Sequence, residues 1–273
     1  MPKKPCVSFH AVADVRRVRF GLIVPQGWRG DLDGRDFETA ARVARRAEEL
    51  GFDSIWLYDH LQTRDGNPDV VLECWLTLAA LARETSRVQL GQIVTCALYR
   101  NPALLAQMAS TLDAASGDRV FLGLGAGWDE REYVDFGYGE ALPPIRERLA
   151  HLERTLQVLR ARRGARPILV GGAGEKILLR LVAQYADACN LSDSLDPAFY
   201  RHKLDVLRAH CDAVGRDDTE ILKTATFTVR DGEQVDFAAL TGAGIEYFIV
   251  YVEPAADLRR LERFASTVDV ANV

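Results

Sequence analysis

Cysteine is scarce in this sequence, and its placement points to neither a disulfide framework nor a metal centre. The five cysteines, Cys6, Cys74, Cys96, Cys189 and Cys211, include no Cys-x-x-Cys pair and have no histidine at the spacing of zinc ligands. Because disulfides persist mainly in oxidising compartments, we interpret these residues as reduced thiols of a cytoplasmic protein. The sequence predicts no bound metal.

Long apolar runs and an excess of positive charge are also missing. No apolar stretch approaches the roughly 20 residues that a membrane-spanning helix requires. The formal net charge of −5 gives no broadly basic surface for nucleic acid. Residues 1–17 have two lysines but no continuous apolar segment after them, so we expect a poorly ordered extension and not a secretory signal. The expected partner is a small molecule, and neither a membrane nor a nucleic acid.

Short apolar runs alternate with amphipathic segments along the rest of the chain. The predicted strands are Arg19–Val24, Ser54–Tyr58, Val88–Cys96, Val120–Leu124, Ile168–Val170, Ala188–Leu191, Ile221–Val229 and Tyr247–Val250. The predicted helices are Phe37–Leu50, Glu73–Arg83, Pro102–Ala115, Ile145–Leu159, Glu175–Tyr185, Pro197–Val214, Glu233–Leu240 and Ala255–Ser266. Regular alternation of eight strands with helices predicts an α/β fold, a closed (β/α)8 TIM barrel formed by residues 18–273 as one domain. A doubly wound open sheet is the alternative.

Two helices have specific local signals. Asp36 is placed to cap the first helix, and Gly51 to end it. In the second helix we expect Trp75, Leu76, Ala79 and Ala80 to face inward.

In a TIM barrel the functional residues lie at the carboxyl ends of the strands. This rule selects Gln26, Asp59, His60, Thr95, Cys96, Gly125, Ala126, Gly127, Trp128, Gly171, Gly172, Ala173, Gly174, Lys176 and Asn190. We expect Gln26, Trp128 and Asn190 to line a substrate pocket.

His60 is the candidate for proton transfer, because a histidine near its ordinary pKa of about 6.5 donates or accepts a proton at neutral pH. The neighbouring Asp59 either orients it or pairs elsewhere, and a loop histidine satisfied by backbone is an equal alternative. Cys96 is a poor candidate nucleophile, since no Cys–His arrangement is visible.

The glycine-rich strand ends each have two interpretations. Gly171–Lys176 joins a strand to a helix, where backbone N–H groups and Lys176 suit a phosphate, but a tight turn also needs glycine. Gly125–Trp128 allows a flat ring to approach the backbone, or simply packs closely. The acidic run that follows, Asp129 to Asp135, is typical of a solvated helix start.

Taken together, these segments resemble the luciferase-like monooxygenase superfamily and, within it, oxidoreductases that depend on the deazaflavin coenzyme F420. The matching segments are 55–60, 73–75, 90–96, 99–106, 123–128, 170–176 and 185–190. The resemblance covers residues 18–269, nearly the whole chain.

The resemblance implies a TIM barrel, commonly a homodimer, with the deazaflavin across the strand ends. It implies that Asp59 and His60 contact the cofactor, with His60 as proton donor or acceptor. A non-prolyl cis peptide behind the ring would fall around Thr95–Cys96. The phosphodiester would be held by Gly172, Ala173, Gly174 and Lys176.

Two departures from the family pattern bear on function. Trp128 stands where sugar-phosphate dehydrogenases of the family have a glutamate, which argues against such a substrate. Residues 162–166 replace the several dozen residues that usually form a lid, which suggests a more open pocket. We expect an oxidoreductase that reduces an activated C=C or C=N bond. The alternatives are an FMN-dependent monooxygenase and a non-catalytic flavin-binding or interaction protein.

Overall fold

A computed structural model describes residues 18–162, 166–192 and 194–269. The predicted N-terminal extension, residues 1–17, and most of the predicted short lid segment lie outside these ranges.

The described chain forms a closed barrel of parallel strands. The strands are β1 (Arg19–Ile23), β2 (Ser54–Leu57), β3 (Gln89–Gln92), β4 (Thr95–Cys96), β5 (Val120–Gly125), β6 (Ile168–Gly171), β7 (Ala188–Ser192), β8 (Leu222–Val229) and β9 (Tyr247–Val252). The order is β3-β2-β1-β9-β8-β7-β6-β5-β4, and β3 also pairs with β5, which closes the ring. Closure confirms the predicted TIM barrel and excludes the open sheet.

The third predicted strand is interrupted, so nine strand segments fill eight barrel positions. β3 and β4 flank a non-prolyl cis peptide between Ile93 and Val94. The expected position around Thr95–Cys96 is therefore corrected by two residues. Both segments pair with β5, at Leu90 and at Thr95.

Nine α-helices are found in the described residues, most of them on the outside of the barrel. They are α1 (Phe37–Glu49), α2 (Cys74–Glu84), α3 (Pro102–Ser116), α4 (Glu130–Asp135), α5 (Ile145–Ala161), α6 (Leu178–Tyr185), α7 (Pro197–Val214), α8 (Phe237–Gly242) and α9 (Leu258–Thr267). None of the helices described has the length and apolar character needed to cross a membrane.

Local sequence accounts for where several helices begin and end. Asp36 caps α1 by accepting a hydrogen bond from the Thr39 N–H at 3.0 Å, as predicted. Asn101 and Asp196 cap α3 and α7, and each is followed by a proline in the first helical turn. By contrast, α6 begins at Leu178, three residues later than predicted.

Two apolar layers form the core. Inside the barrel, Trp56, Phe121 and Tyr247 pack with smaller side chains, and a larger cluster fills the space between strands and helices. The inward face of α2 differs from the prediction. Its buried side chains include Trp75, Leu78 and Leu81, whereas Leu76 is 75 % exposed.

Candidate active site at the carboxyl end of the barrel

A cavity of about 460 Å³ opens at the carboxyl ends of the strands. The predicted residues that line it are Asp59, His60, Cys96, Gly125, Gly127, Trp128, Gly171, Gly172 and Asn190. An adjoining cavity of about 500 Å³ is lined in part by Ala126, Gly174 and Lys176. Of the predicted site residues, Gln26, Thr95 and Ala173 line neither cavity.

His60 is held by a buried carboxylate that the sequence interpretation assigned to solvent. The Nδ1 of His60 lies 2.9 Å from Oε2 of Glu132, whose side chain is 1 % exposed. The other carboxylate oxygen accepts a hydrogen bond from the Leu61 N–H at 2.9 Å. The Tyr99 hydroxyl donates to Oε2 at 3.0 Å. His60 and Glu132 therefore form a fixed pair at the rim of the cavity.

The protonation of this pair follows from its surroundings. Burial raises the pKa of Glu132, but the hydrogen bond and charge of His60 and the Leu61 N–H outweigh it and hold that pKa below its ordinary value. An ionised Glu132 accepts a hydrogen bond, so we assign the proton on His60 to Nδ1. This leaves Nε2 as the nitrogen that exchanges a proton with a molecule in the cavity.

The burial of Glu132 corrects the interpretation of the acidic run as a solvated helix start. Asp129 caps α4 by accepting from the Glu132 N–H at 3.1 Å, which turns Glu132 toward the cavity. Glu130, two residues earlier in the same acidic run, is exposed, as expected. The signal available in the sequence was position, because α4 follows a strand end directly at the functional face of the barrel.

Two tryptophans enclose the His60 ring. Trp28 stacks on it with ring centroids 4.0 Å apart and planes 5° apart. Trp128 meets it edge-on at 5.5 Å, and its indole is 65 % exposed. Trp128 therefore lies at the pocket rim, as predicted, whereas the contribution of Trp28 was not foreseen.

Asp59 does not serve as the partner of His60. Its carboxylate accepts two hydrogen bonds from the Arg100 guanidinium, at 2.6 and 2.9 Å, and one from the Cys96 N–H at 2.9 Å. Arg100 also contacts Glu73 at 2.8 Å. Asp59 therefore pairs elsewhere, which is one of the two alternatives given above, and its carboxylate holds the loop after β4 against the end of β2.

The glycines at the ends of β5 and β6 make room for a side chain of the barrel itself. A Cβ on Gly125 would lie 2.6 Å from Cγ2 of Val94, and one on Gly171 would lie 2.9 Å from its Cγ1. Val94 borders both cavities. Glycine at these two positions is therefore explained by the close contact that a Cβ would make with Val94. A flat ligand at the border of the two cavities would lie against this valine.

Cys96 and Thr95 are buried at the end of β4. Burial raises the pKa of the Cys96 thiol to about 12, so it is not a thiolate at neutral pH, in agreement with the expectation that it is no nucleophile. The Thr95 hydroxyl is buried without a hydrogen-bond partner among the described residues.

The glycine turn after β6 has one fixed anchor to the neighbouring strand. The Gly172 N–H donates to the Asn190 carbonyl at 2.9 Å, with a φ of +127° that disfavours any other residue. The Asn190 side chain donates to the hydroxyls of Thr224 and Thr226, at 2.9 and 2.7 Å. Lys176 is exposed beside the second cavity.

Gln26 is structural, which corrects its assignment to the substrate pocket. Its amide nitrogen donates to the carbonyls of Tyr58 and Leu72, at 2.7 and 2.8 Å, and its oxygen accepts from the Tyr58 N–H at 2.9 Å. The side chain is 1 % exposed. Gln26 therefore joins the ends of β1 and β2 behind the cavity wall.

One group of side chains has the composition of a metal site. Ligand atoms of His60, Asp129 and Glu132 lie within 4.8 Å of one another. However, the Glu132 oxygens already accept hydrogen bonds from two side chains and from backbone, and Asp129 caps α4. The hydrogen bonds explain the group without an ion.

This chain is similar in sequence to several known enzymes. The chain shares 38 % identity over 138 residues with an F420-dependent glucose-6-phosphate dehydrogenase of Intrasporangium calvum, covering 49 % of this chain and 40 % of that protein. It shares 29 % identity over 199 residues with a 5,10-methylenetetrahydromethanopterin reductase of Methanolobus tindarius, covering 66 % and 58 %. Neither match reaches two thirds of the relative's own length.

The fold has solved counterparts. An F420-dependent secondary alcohol dehydrogenase in complex with an F420-acetone adduct matches with a TM-score of 0.77 at 16 % identity, covering 94 % of this chain and 100 % of that chain. At this identity the likeness establishes the fold alone. The family model of luciferase-like monooxygenases matches residues 18–164, more than half of the chain. The chain therefore belongs to the luciferase-like monooxygenase family.

Proposed function

We propose that this protein is an F420-dependent oxidoreductase that transfers hydride between the deazaflavin and a small organic substrate, reducing an activated C=C or C=N bond. The observation that carries the proposal is the His60–Glu132 pair, which presents one exchangeable nitrogen to a cavity at the barrel mouth. One of the sequence relatives and the structurally similar alcohol dehydrogenase are named as F420-dependent enzymes. FMN-dependent monooxygenase activity is the second candidate, since the family model is named for monooxygenases.

The shape of the site fits a flat cofactor with an extended tail. The two cavities share Val94, Gly125, Gly127, Trp128 and Gly171 along their common border. Val94 gives the border an apolar floor, and the second cavity leads to the turn where Lys176 stands. We assign the ring to the floor at Val94 and the phosphodiester to Gly172, Ala173, Gly174 and Lys176. When bound, the cofactor supplies the hydride chemistry.

The residues of this chain handle the proton and the surroundings. Glu132 fixes the His60 ring through Nδ1, so Nε2 delivers a proton to the reduced substrate or removes one in the reverse direction. Trp28 and Trp128 cover the ring and limit access of water to it.

A homodimer is part of the proposal. Leu76 on α2 and Leu104 on α3 are 75 % and 55 % exposed, and the two helices are neighbours. Exposed leucines on adjacent helices suit an interface with a second copy. Sedimentation equilibrium of the wild-type protein and of Leu76→Glu/Leu104→Glu tests it, with a monomeric wild type as the contrary result.

Fluorescence titration of the purified protein with F420 and, separately, with FMN tests the cofactor. Strong preference for F420, followed by oxidation of reduced F420 in the presence of activated alkenes or imines, supports the proposal. Preference for FMN together with substrate-dependent oxygen uptake supports the monooxygenase. If neither cofactor binds, the protein is a non-catalytic member of the family, as the short lid segment allows.

A further inference from the structure

One cation in the active-site cavity forms no ion pair among the described residues. Arg29, in the loop after β1, borders the same cavity as His60. Its guanidinium donates to the Thr228 hydroxyl at 3.2 Å and to the Tyr58 hydroxyl at 3.0 Å. Its Nε is buried without a hydrogen-bond partner among the described residues. Within those residues no carboxylate lies within 4.0 Å of it, since Arg29 is absent from every ion pair found there.

The nearby carboxylates are engaged elsewhere. Asp31 accepts hydrogen bonds from the Gly27 N–H at 2.7 Å and from the Tyr251 hydroxyl at 3.0 Å. Glu132 is paired with His60, and Asp59 with Arg100. Asp31 is hydrogen-bonded to neutral donors, and Arg29 forms no ion pair within the part of the chain that the structure describes.

Aromatic rings hold the guanidinium in place instead. Its central carbon lies 4.4 Å from the ring centre of Tyr251, 5.3 Å from that of Tyr58 and 5.4 Å from that of Trp28. Such contacts orient an arginine while leaving its N–H groups available. Because Trp28 also stacks on His60, one indole separates the cation from the proton-transfer residue.

A second arginine and a set of hydroxyls extend this region. The Arg64 guanidinium lies 4.9 Å from the Trp28 ring centre, also without an ion-pair partner in the described chain. A neighbouring cavity of about 520 Å³ is bordered by Arg29, Arg64 and Arg230 and by two carboxylates, Asp65 and Glu253. Three residues with hydroxyl side chains, Ser192, Thr226 and Thr228, also border the main cavity. Arginine with hydroxyl groups is the donor set that binds carboxylate and phosphate.

We propose that Arg29, assisted by Arg64, binds an oxyanion of the substrate, so that the protein acts on an anionic small molecule that carries a carboxylate or a phosphate. The statement that this anion is the substrate of the reaction rests on the proposed function. The binding of an anion at Arg29 does not depend on it. The anionic group would be anchored at Arg29 while the reacting carbon lies beside His60. The fork of the guanidinium suits two oxygens of one group.

The test is a ligand-observed NMR titration of the full chain with inorganic phosphate and, separately, with acetate. We expect saturable binding to the wild type and a weakening of about 10- to 100-fold in Arg29→Gln, because the lost contacts are charge-assisted hydrogen bonds. Arg29→Lys keeps the charge but not the fork, so an intermediate affinity is expected. Stronger binding of one probe than the other identifies phosphate or carboxylate as the natural group.

Two further variants separate this site from the rest of the molecule. Arg42→Gln removes the same charge from an exposed position on α1, and Lys176→Gln removes the cation of the glycine turn. Both should retain anion binding at the Arg29 site. No saturable binding to the wild type, equal binding in Arg29→Gln, or loss only in Lys176→Gln would overturn the proposal. Thermal melts of Arg29→Gln and Arg29→Lys verify that both are folded.

F420 titration of the same proteins keeps the two proposals apart. If the wild type binds phosphate or acetate through Arg29 but not F420, the proposed function fails and the anion site stands. If F420 binds with equal affinity to wild type and Arg29→Gln while neither anion binds, the anion site fails and the proposed function stands.

Discussion

The two sides of the barrel mouth differ in how their charges are satisfied. On the side of β2 to β5, Glu132 and Asp59 are buried and paired with His60 and Arg100 within the chain. On the side of β8, β9 and β1, Arg29 meets hydroxyls and aromatic rings and has no described carboxylate partner. We call the first the paired side and the second the open side.

The difference has a physical meaning for function. A buried charge with all partners inside the protein is fixed in position, which suits a group that transfers protons. A cation that lacks an internal carboxylate partner gains most from an anionic ligand, which suits a group that selects substrates. The cavity thus combines a rigid chemical side with a receptive binding side.

The largest expected effect concerns His60 on the paired side. His60→Ala should lower turnover by about 10²- to 10⁴-fold, because it removes the nitrogen that exchanges the substrate proton. Single-turnover oxidation of reduced F420 measures it, and F420 affinity should change little. His202→Ala, at an exposed position on α7, is the matched control. An unchanged single-turnover rate in His60→Ala would remove this residue from the mechanism.

The second test compares one arginine from each side in stability. Arg100→Met leaves the Asp59 carboxylate buried and unpaired, so it should lower the free energy of unfolding by about 3–5 kcal/mol. Arg29→Met keeps the apolar part of the side chain and leaves no described carboxylate without its ion-pair partner. The loss of unfolding free energy in Arg29→Met should therefore be below about 1 kcal/mol. Urea unfolding of both variants measures the difference. Equal losses would mean that the two sides do not differ in the way argued above.

The third test concerns Val94, which lies at the border of the two cavities. Gly125→Ala places a Cβ against the stiff, branched Val94 side chain and should cost about 1–3 kcal/mol of unfolding free energy. Val94→Ala/Gly125→Ala should recover much of that loss, since the two sites are in contact. Gly242→Ala on α8, where a Cβ meets nothing within 4 Å, is the control. Additive losses in the double variant would show that Val94 is not the constraint.

The sequence was sufficient to predict the fold. Of the His60–Glu132 pair at the active site, it was sufficient to predict His60 alone. Strand periodicity and the cap at Asp36 depend on neighbours in the chain, so they could be predicted. His60 was found because the barrel rule specifies strand ends. The rule gives positions but not side-chain directions, which is why Gln26 was misassigned although it follows β1.

The unforeseen residues depend on contacts between distant segments. Glu132 is buried only because α4 meets the end of β2, some 70 residues earlier in the chain. Trp28 and Arg29 belong to an irregular loop, where no periodicity indicates which side chains turn inward. The continuous apolar pattern of the third predicted strand likewise did not indicate its interruption at Ile93 and Val94. Packing across the barrel mouth decided each of these cases.

The smallest expected effect is the pH dependence of the Glu132 contribution to stability. The pKa of Glu132 in the folded protein lies below its ordinary value of 4.5, since His60 and the Leu61 N–H outweigh the opposing effect of burial. Glu132 therefore stabilises the fold above about pH 4.5, and that stabilisation disappears as the pH falls through the lowered pKa. The difference in unfolding free energy between wild type and Glu132→Gln should be about 1–2 kcal/mol near neutral pH and should shrink on acidification.

Urea unfolding at a series of pH values from neutral to acid measures this difference. Glu130→Gln, exposed on the same helix, controls for the loss of one carboxylate. If the wild type gained stability over Glu132→Gln as the pH fell below about 4.5, the carboxylate would be held in its protonated form. It could not then accept the proton-bearing Nδ1 of His60, and the separation of a paired side from an open side would lose its basis.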